Sequence, residues 1–262
     1  MQLQTADAVW ARIEALMRAE PGGVVASDGD GTLWKGDVGE DLFHAFIESG
    51  RVEPPALEAL RRDARAHGLS DAGGGPDIAR RIYSAYLEGL FPEERVCEMM
   101  TWCFAGWRRD ELRAFARDVV GGAGLAQRLH PELLGILEKV RAAGVRPWLV
   151  SASPIAVVVE AGALVGFEAD RVIAARPRYE SDVVVADVER PIPYALGKVA
   201  RLREHIAPGQ MLYAAFGDNA FDAAMLATAR VPVAVRPKPR LRALADTVPG
   251  LVELEPSLDR AI

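Results

Sequence analysis

The stretch that most limits what this chain can become is Val24-Val25-Ala26-Ser27-Asp28-Gly29-Asp30-Gly31-Thr32. Its apolar half has the length of a buried strand and stops abruptly at two aspartates two residues apart. Buried parallel strands read as continuous apolar runs, and open α/β sheets bind ligands beyond the carboxyl ends of their strands. Carboxylates at such a tip stand where chemistry is done. Strand geometry repeats every two residues, so Asp28 and Asp30 begin on the same side. The glycines let the backbone turn sharply there and come close to a ligand. Two converging acids repel unless a cation or a shared proton relieves them. A hard divalent ion with oxygen ligands, Mg²⁺ first among them, does so.

Three other readings compete for this motif. An EF-hand calcium loop needs Asp or Asn at position 32, Gly at 33 and Glu at 39; Thr32, Leu33 and Gly39 stand there, and that reading fails. An ordinary Asp-Gly turn and a receiver-type phosphorylation site both stay open on the motif alone.

At 262 residues the chain is long enough for one main domain with a smaller insertion. A hydrophobic content of 50% with 26% charged residues is that of a soluble globular protein. The net charge of −6 argues against nucleic acid as a partner. Cys97 and Cys103, six apart on an expected helix, make neither a disulfide framework nor a metal site, so a reducing, cytoplasmic compartment is expected. The first residues carry no basic and apolar leader pattern, and the apolar stretch from Val145 to Val159 is broken by Pro147, Ser151, Ser153 and Pro154. No signal peptide and no membrane span are read.

Taken in order, Thr5 caps a helix to about Ala19, and Pro21-Gly22-Gly23 leads into the first strand. From about Asp37 to Gly124 only helical patterns occur, with starts at Pro54-Pro55, Asp77, Pro92 and Asp110, and with Gly121 to Gly124 as a hinge-like stretch. After that, strands dominate: Val145 to Val150, Arg171 to Ala174, Met211 to Phe216 and Val231 to Val235, with a hairpin over Tyr179 to Val188 on the sheet edge. The alternation predicts a parallel α/β sheet. Residues 1–36 and 125–262 are expected to form the α/β core, and 37–124 a helical insertion after its first strand.

Polar residues end three of these strands: Asp28 and Asp30, then Ser151, then Asp218 and Asp222; Lys198 opens a helix between the last two. A parallel sheet brings all its carboxyl ends to one edge. Such a set is a poor core and a coherent phosphate site, in which a metal neutralises the carboxylates while Lys198 and Ser151 supply donors. Ser153 reads as a helix cap before Pro154.

Four ordered motifs now carry a resemblance: Asp28-Gly-Asp30-Gly-Thr32, the apolar run ending in Ser151, Gly197-Lys198-Val199, and Gly217-Asp218-Asn219-Ala220-Phe221-Asp222. The chain resembles haloacid dehalogenase superfamily phosphatases, in the phosphoserine phosphatase-like branch. The resemblance implies a Rossmann-like, doubly wound parallel sheet with an inserted all-helical C1 cap. It implies Asp28 as nucleophile and Asp30 as general acid/base. Ser151 and Lys198 would bind phosphate, Asp28, Asp218 and the Asp30 main-chain carbonyl would bind Mg²⁺, and Asp222 and Thr32 would support them. The implied reaction is hydrolysis of a small phosphomonoester through an aspartyl-phosphate. The pattern departs at two places: Phe221 stands where such relatives carry Asn, and Asp37 where they carry the Glu that meets the substrate's ammonium. Asp37 is thus the expected specificity residue, and phosphoserine, phosphocholine or phosphoethanolamine are candidate substrates. Trp34, Trp102, Trp107, Tyr83 and Tyr86 form either the insertion's own core, the favoured alternative, or an aromatic wall for an ammonium group. A phosphomutase or phosphotransferase on the same scaffold and a catalytically silent binding protein are the alternatives.

Overall fold

The computed structural model describes residues 1–257. Strand β1 (Gln2–Gln4), helix α1 (Ala6–Ala19) and strand β2 (Val24–Ser27) open the chain. Five helices follow: α2 (Val38–Ser49), α3 (Pro54–Ala66), α4 (Gly75–Leu87), α5 (Glu93–Trp102) and α6 (Arg109–Gly122). Next come α7 (Pro131–Ala142), β3 (Trp148–Pro154), α8 (Ile155–Leu164) and β4 (Val172–Ala175). A hairpin, β5 (Pro177–Glu180) and β6 (Val183–Val188), precedes α9 (Leu196–His205) and β7 (Leu212–Gly217). The described chain closes with α10 (Ala223–Thr228), β8 (Val231–Val235), α11 (Pro239–Ala243) and β9 (Val252–Leu254).

Seven strands form one sheet in the order β1-β9-β8-β7-β2-β3-β4, with every neighbouring pair parallel. In β2, Ser27 lies opposite Leu149 of β3 and Phe216 of β7. The chain leaves β2 toward β3 on one side and returns to β7 on the other, so the tip of β2 is the switch point where such sheets bind ligands. Successive residues of β2 serve opposite faces. Val25 packs with Val9 and Ile13 of α1 and Leu137 of α7, while Val24 and Ala26 pack with Leu202 of α9 and Met225 of α10. Burial on both faces is why this run is almost wholly apolar.

Several elements differ from the sequence expectation. The edge strands β1 and β9, three residues each, are too short to show a period. The second central strand starts at Trp148 rather than Val145 and runs through Ser153, so Ser153 is a strand residue and not a helix cap. Helix α6 continues through Gly121 and Gly122, because buried Val120 still anchors its apolar face; the turn comes at Gly124, whose φ is +59°. Asp77 and Asp110 lie inside their helices, with Asp77 reaching back to the Gly74 N–H at 3.3 Å.

The hairpin is not on the edge of the main sheet. It forms its own two-stranded sheet and binds the segment between α5 and α6: Gly106 N donates to Val184 O at 2.9 Å, Val184 N to Trp107 O at 2.9 Å, and Arg109 N to Asp182 O at 2.8 Å. Those main-chain partners are worth more to β6 than an exposed edge position. Trp102 and Trp107 are buried with Phe46 and Phe104, so the aromatic residues of this region are largely core. Trp34 precedes the helical segment and is wholly buried.

Candidate active site

Beyond β2 the chain curls back on itself: Thr32 N and Leu33 N both donate to Gly29 O, at 3.1 and 2.7 Å. Gly31 has φ +80°, and a Cβ there would lie 2.2 Å from Asp218 Oδ2. Only glycine lets the loop and that carboxylate come so close. Gly197 has a similar duty. Its added Cβ would lie 1.9 Å from Ile192 O, so the first turn of α9 is pressed against the preceding loop. That contact sets Lys198.

The buried Lys198 ammonium lies 2.5 Å from Asp28 Oδ1 and 2.6 Å from Asp222 Oδ1. Thr32 Oγ1 donates to Asp28 Oδ2 at 2.9 Å. Asp222 Oδ2 accepts from Asp218 N and Asn219 N, at 3.1 and 2.9 Å, and so ties the turn after β7. The structure therefore gathers Asp28, Thr32, Lys198, Asp218 and Asp222 into one buried cluster. Asp30 and Ser151 border it: Ser151 Oγ is 3.3 Å from Asp30 Oδ2.

Burial pushes Asp28 well above the usual carboxylate range against the pull of Lys198, with Asp222, Asp218 and Asp30 adding to the rise. Burial likewise pushes Asp218 up to about 6, helped by Asp222 and opposed by Lys238. Burial alone would lower Lys198, but Asp222 and Asp28 outweigh it and keep the ammonium charged.

The residues fit a divalent cation. Asp28, Asp218 and Asp222 each bring a carboxylate oxygen within 4.8 Å of the others. Asp218 Oδ1 is buried with no hydrogen-bond partner, a costly state for a carboxylate unless a cation takes it up. Asp222 and Asp28 each have both oxygens engaged, so the open ligand position is Asp218 Oδ1, with Asp28 free to join it only by giving up its bond from Thr32 or Lys198. Hard anionic oxygens of this kind suit Mg²⁺.

A cavity of about 250 Å³ opens from the cluster, lined also by Asp37, Glu40, Tyr86 and Glu93 and by the apolar Val96, Cys97, Met100 and Phe221. Asp37 thus borders the cavity as expected, but its Oδ1 also accepts from Glu40 N at 2.9 Å and caps α2. Burial pushes Asp37 well above the usual range, with Asp30 and Glu40 adding to it.

Three residues have site contacts that the sequence did not assign to them. Lys238 Nζ lies 2.9 Å from Asp218 Oδ2; its signal was a lone lysine just past the tip of an apolar strand. Ser153 Oγ donates to Asp30 Oδ2 at 2.7 Å, and its signal was strand alternation, two residues on from Ser151. Trp34 Nε1 donates to Asp30 Oδ1 at 2.8 Å, for which the sequence carries no signal.

A doubly wound parallel sheet with a carboxylate–ammonium cluster at its switch point defines an α/β protein built for chemistry at that edge. The model of the haloacid dehalogenase-like hydrolases matches residues 25–227, most of the chain, and the chain belongs to that family. No curated protein matches the sequence. Among solved structures, a protein of unknown function from Bordetella pertussis Tohama I is similar at 22% identity and a TM-score of 0.66, over 88% of this chain and 97% of that one. A HAD family hydrolase from Salmonella enterica serovar Typhi is similar at 18% identity and a TM-score of 0.52, over 92% and 75%. A phosphoserine phosphohydrolase-like protein from Francisella tularensis is similar at 13% identity and a TM-score of 0.51, over 88% and 94%. These likenesses concern the fold. Among the described residues, no helix is long and apolar enough to cross a membrane.

Proposed function

We propose that the chain is a Mg²⁺-dependent phosphomonoester hydrolase that works through an aspartyl-phosphate on Asp28. The observation that carries the reading is the buried Lys198 ammonium held between Asp28 and Asp222, beside the unpartnered Asp218 Oδ1. Such a group of opposed charges is expensive as core and suited to a phosphoryl group.

Asp28 attacks phosphorus in line while Asp30 gives a proton to the leaving oxygen; Asp30 then takes a proton from the water that hydrolyses the acyl phosphate. Ser151 and Lys198 hold phosphate oxygens, and Lys198 is aimed by its contacts with Asp28 and Asp222. Mg²⁺ held by Asp28, Asp218 and the Asp30 main-chain carbonyl would neutralise carboxylate and phosphate charge. Residues 37–124 act as a cap over the cavity, a reading supported by the share of the lining that comes from this segment: Asp37, Glu40, Tyr86, Glu93, Val96 and Met100.

The substrate is a small phosphorylated metabolite carrying a cationic group. Asp37, Glu40 and Glu93 line the cavity, and Lys238, the one cationic side chain of its lining among the described residues, is engaged by Asp218. The experiment is phosphate release from p-nitrophenyl phosphate with Mg²⁺ and with EDTA, followed by a screen of amino-bearing and neutral phosphomonoesters. Release that EDTA abolishes supports the reading; no release from any phosphomonoester with Mg²⁺ present contradicts it.

A further inference from the structure

The carboxylate of Asp30 is held differently at its two oxygens. Oδ1 accepts two N–H donors, Trp34 Nε1 at 2.8 Å and Val38 N at 2.7 Å. Neither donor can turn around and accept, so both lone pairs of Oδ1 are committed and no proton fits there. Oδ2 meets hydroxyls only: Ser153 Oγ at 2.7 Å and Ser151 Oγ at 3.3 Å. A hydroxyl both donates and accepts. Ser153 Oγ also lies 3.4 Å from Asp37 Oδ1, giving its single proton a second acceptor. The hydroxyl is confined as well, since a Cβ added at Gly39 would come within 2.6 Å of it.

We propose that Asp30 carries its transferable proton on Oδ2, and that Ser153 is the positioning residue whose hydroxyl reverses direction to hold Asp30 in both protonation states. This rests on the hydrolase reading above. With Asp30 protonated, Oδ2–H donates to Ser153 Oγ, and the Ser153 proton turns to Asp37 Oδ1. When substrate binds, the Oδ2–H turns from Ser153 Oγ to the leaving oxygen, and as the Asp28–phosphorus bond forms and the bond from phosphorus to that oxygen breaks, the proton passes to it. Ser153 then turns its own proton back to the Oδ2 carboxylate. In the second half, the attacking water gives a proton to Oδ2 as its oxygen bonds to phosphorus and the Asp28–phosphorus bond breaks, and Ser153 reverses again. No proton is gained or lost by Ser153 over the cycle.

The variants are Ser153→Ala, which removes the reversible partner, and Ser153→Thr, which keeps it. An alkyl phosphomonoester such as phosphoethanolamine needs its leaving oxygen protonated, whereas p-nitrophenolate leaves with little help. Ser153→Ala is expected to lower kcat for the alkyl ester at least about tenfold more than for p-nitrophenyl phosphate, with KM little changed, and Ser153→Thr to restore most of the loss. Independently of turnover, the indole Nε1–H resonance of Trp34, identified with Trp34→Phe, is expected to shift in Ser153→Ala as Asp30 turns, and to return in Ser153→Thr. An equal loss on both substrates, or a Trp34 resonance that does not move, overturns the assignment. A wild-type protein inactive on both esters contradicts the hydrolase reading instead, and the Trp34 resonance still decides the role of Ser153.

Discussion

Asp37 serves two ends that its variants separate. Its Oδ1 caps α2 through Glu40 N, and the same carboxylate borders the cavity. Asp37→Ala loses the cap, at about 1 kcal/mol, along with the charge; Asp37→Asn removes the charge and keeps a good capping group. Asp37→Asn is therefore expected to keep the melting temperature within a degree or two. It should raise KM for amino-bearing phosphomonoesters by about tenfold, the scale of one charge-assisted hydrogen bond, and leave p-nitrophenyl phosphate unchanged. Thermal melts and KM values on the two substrates check this; equal losses on both would leave Asp37 a purely structural role. Legibility at this scale follows chain position. Asp28, Ser151, Lys198 and Asp218 were readable because each is a lone polar residue closing an apolar run or opening a helix. Trp34 was not, because its bond to Asp30 depends on how the loop after β2 folds back, and composition shows a tryptophan only as a candidate for core.

Among the elements, α5 ties the helical segment to the rest through buried charge, beside the packing of α2 and α6 on α8. Glu98, buried in α5, receives Arg190 Nε at 2.7 Å and Arg190 Nη2 at 3.0 Å, and it pairs with Arg95 as well. Arg190 lies between β6 and α9, the helix that carries Lys198. The hairpin adds main-chain bonds to residues 106 and 107. Motion of residues 37–124 as a lid would therefore have to carry the hairpin along or break these bonds. Glu98→Ala takes one of two carboxylates from each arginine, Arg95 keeping Asp63 and Arg190 keeping Asp187, and is expected to destabilise the protein by about 2 kcal/mol, measurable by urea unfolding. A cost under about 1 kcal/mol would show that the tie contributes little. The run of helices was legible from its period and from the prolines at the starts of α3 and α5, whereas Asp77 and Asp110 fall inside their helices. The hairpin's partner was not, because strand alternation gives the face of a strand and says nothing about which distant backbone it bonds.

For the molecule as a whole, the carboxylates of the site make metal-free folding pH-dependent. Asp218 is pushed from 3.8 to about 6, chiefly by burial, and Asp28 is raised by the same cause. The folded state then holds more protons than the unfolded one between these values, so this contribution to stability is full below pH 3.8 and is lost as pH rises through about 6. A cation bound at Asp218 relieves the cost where it is largest. The rise in melting temperature on adding Mg²⁺ is expected to be several degrees larger at pH 7.5 than at pH 5, as differential scanning fluorimetry would read. An increment independent of pH would place the metal elsewhere.

Asp28 is the residue proposed to become phosphorylated. Acid-quenched protein taken during turnover, digested and analysed by mass spectrometry, tests this most directly. A phosphate on the peptide containing Asp28, absent in an Asp28→Asn protein that turns over orders of magnitude more slowly, is the expected result. Asp28→Asn protein that releases phosphate at the wild-type rate would contradict it.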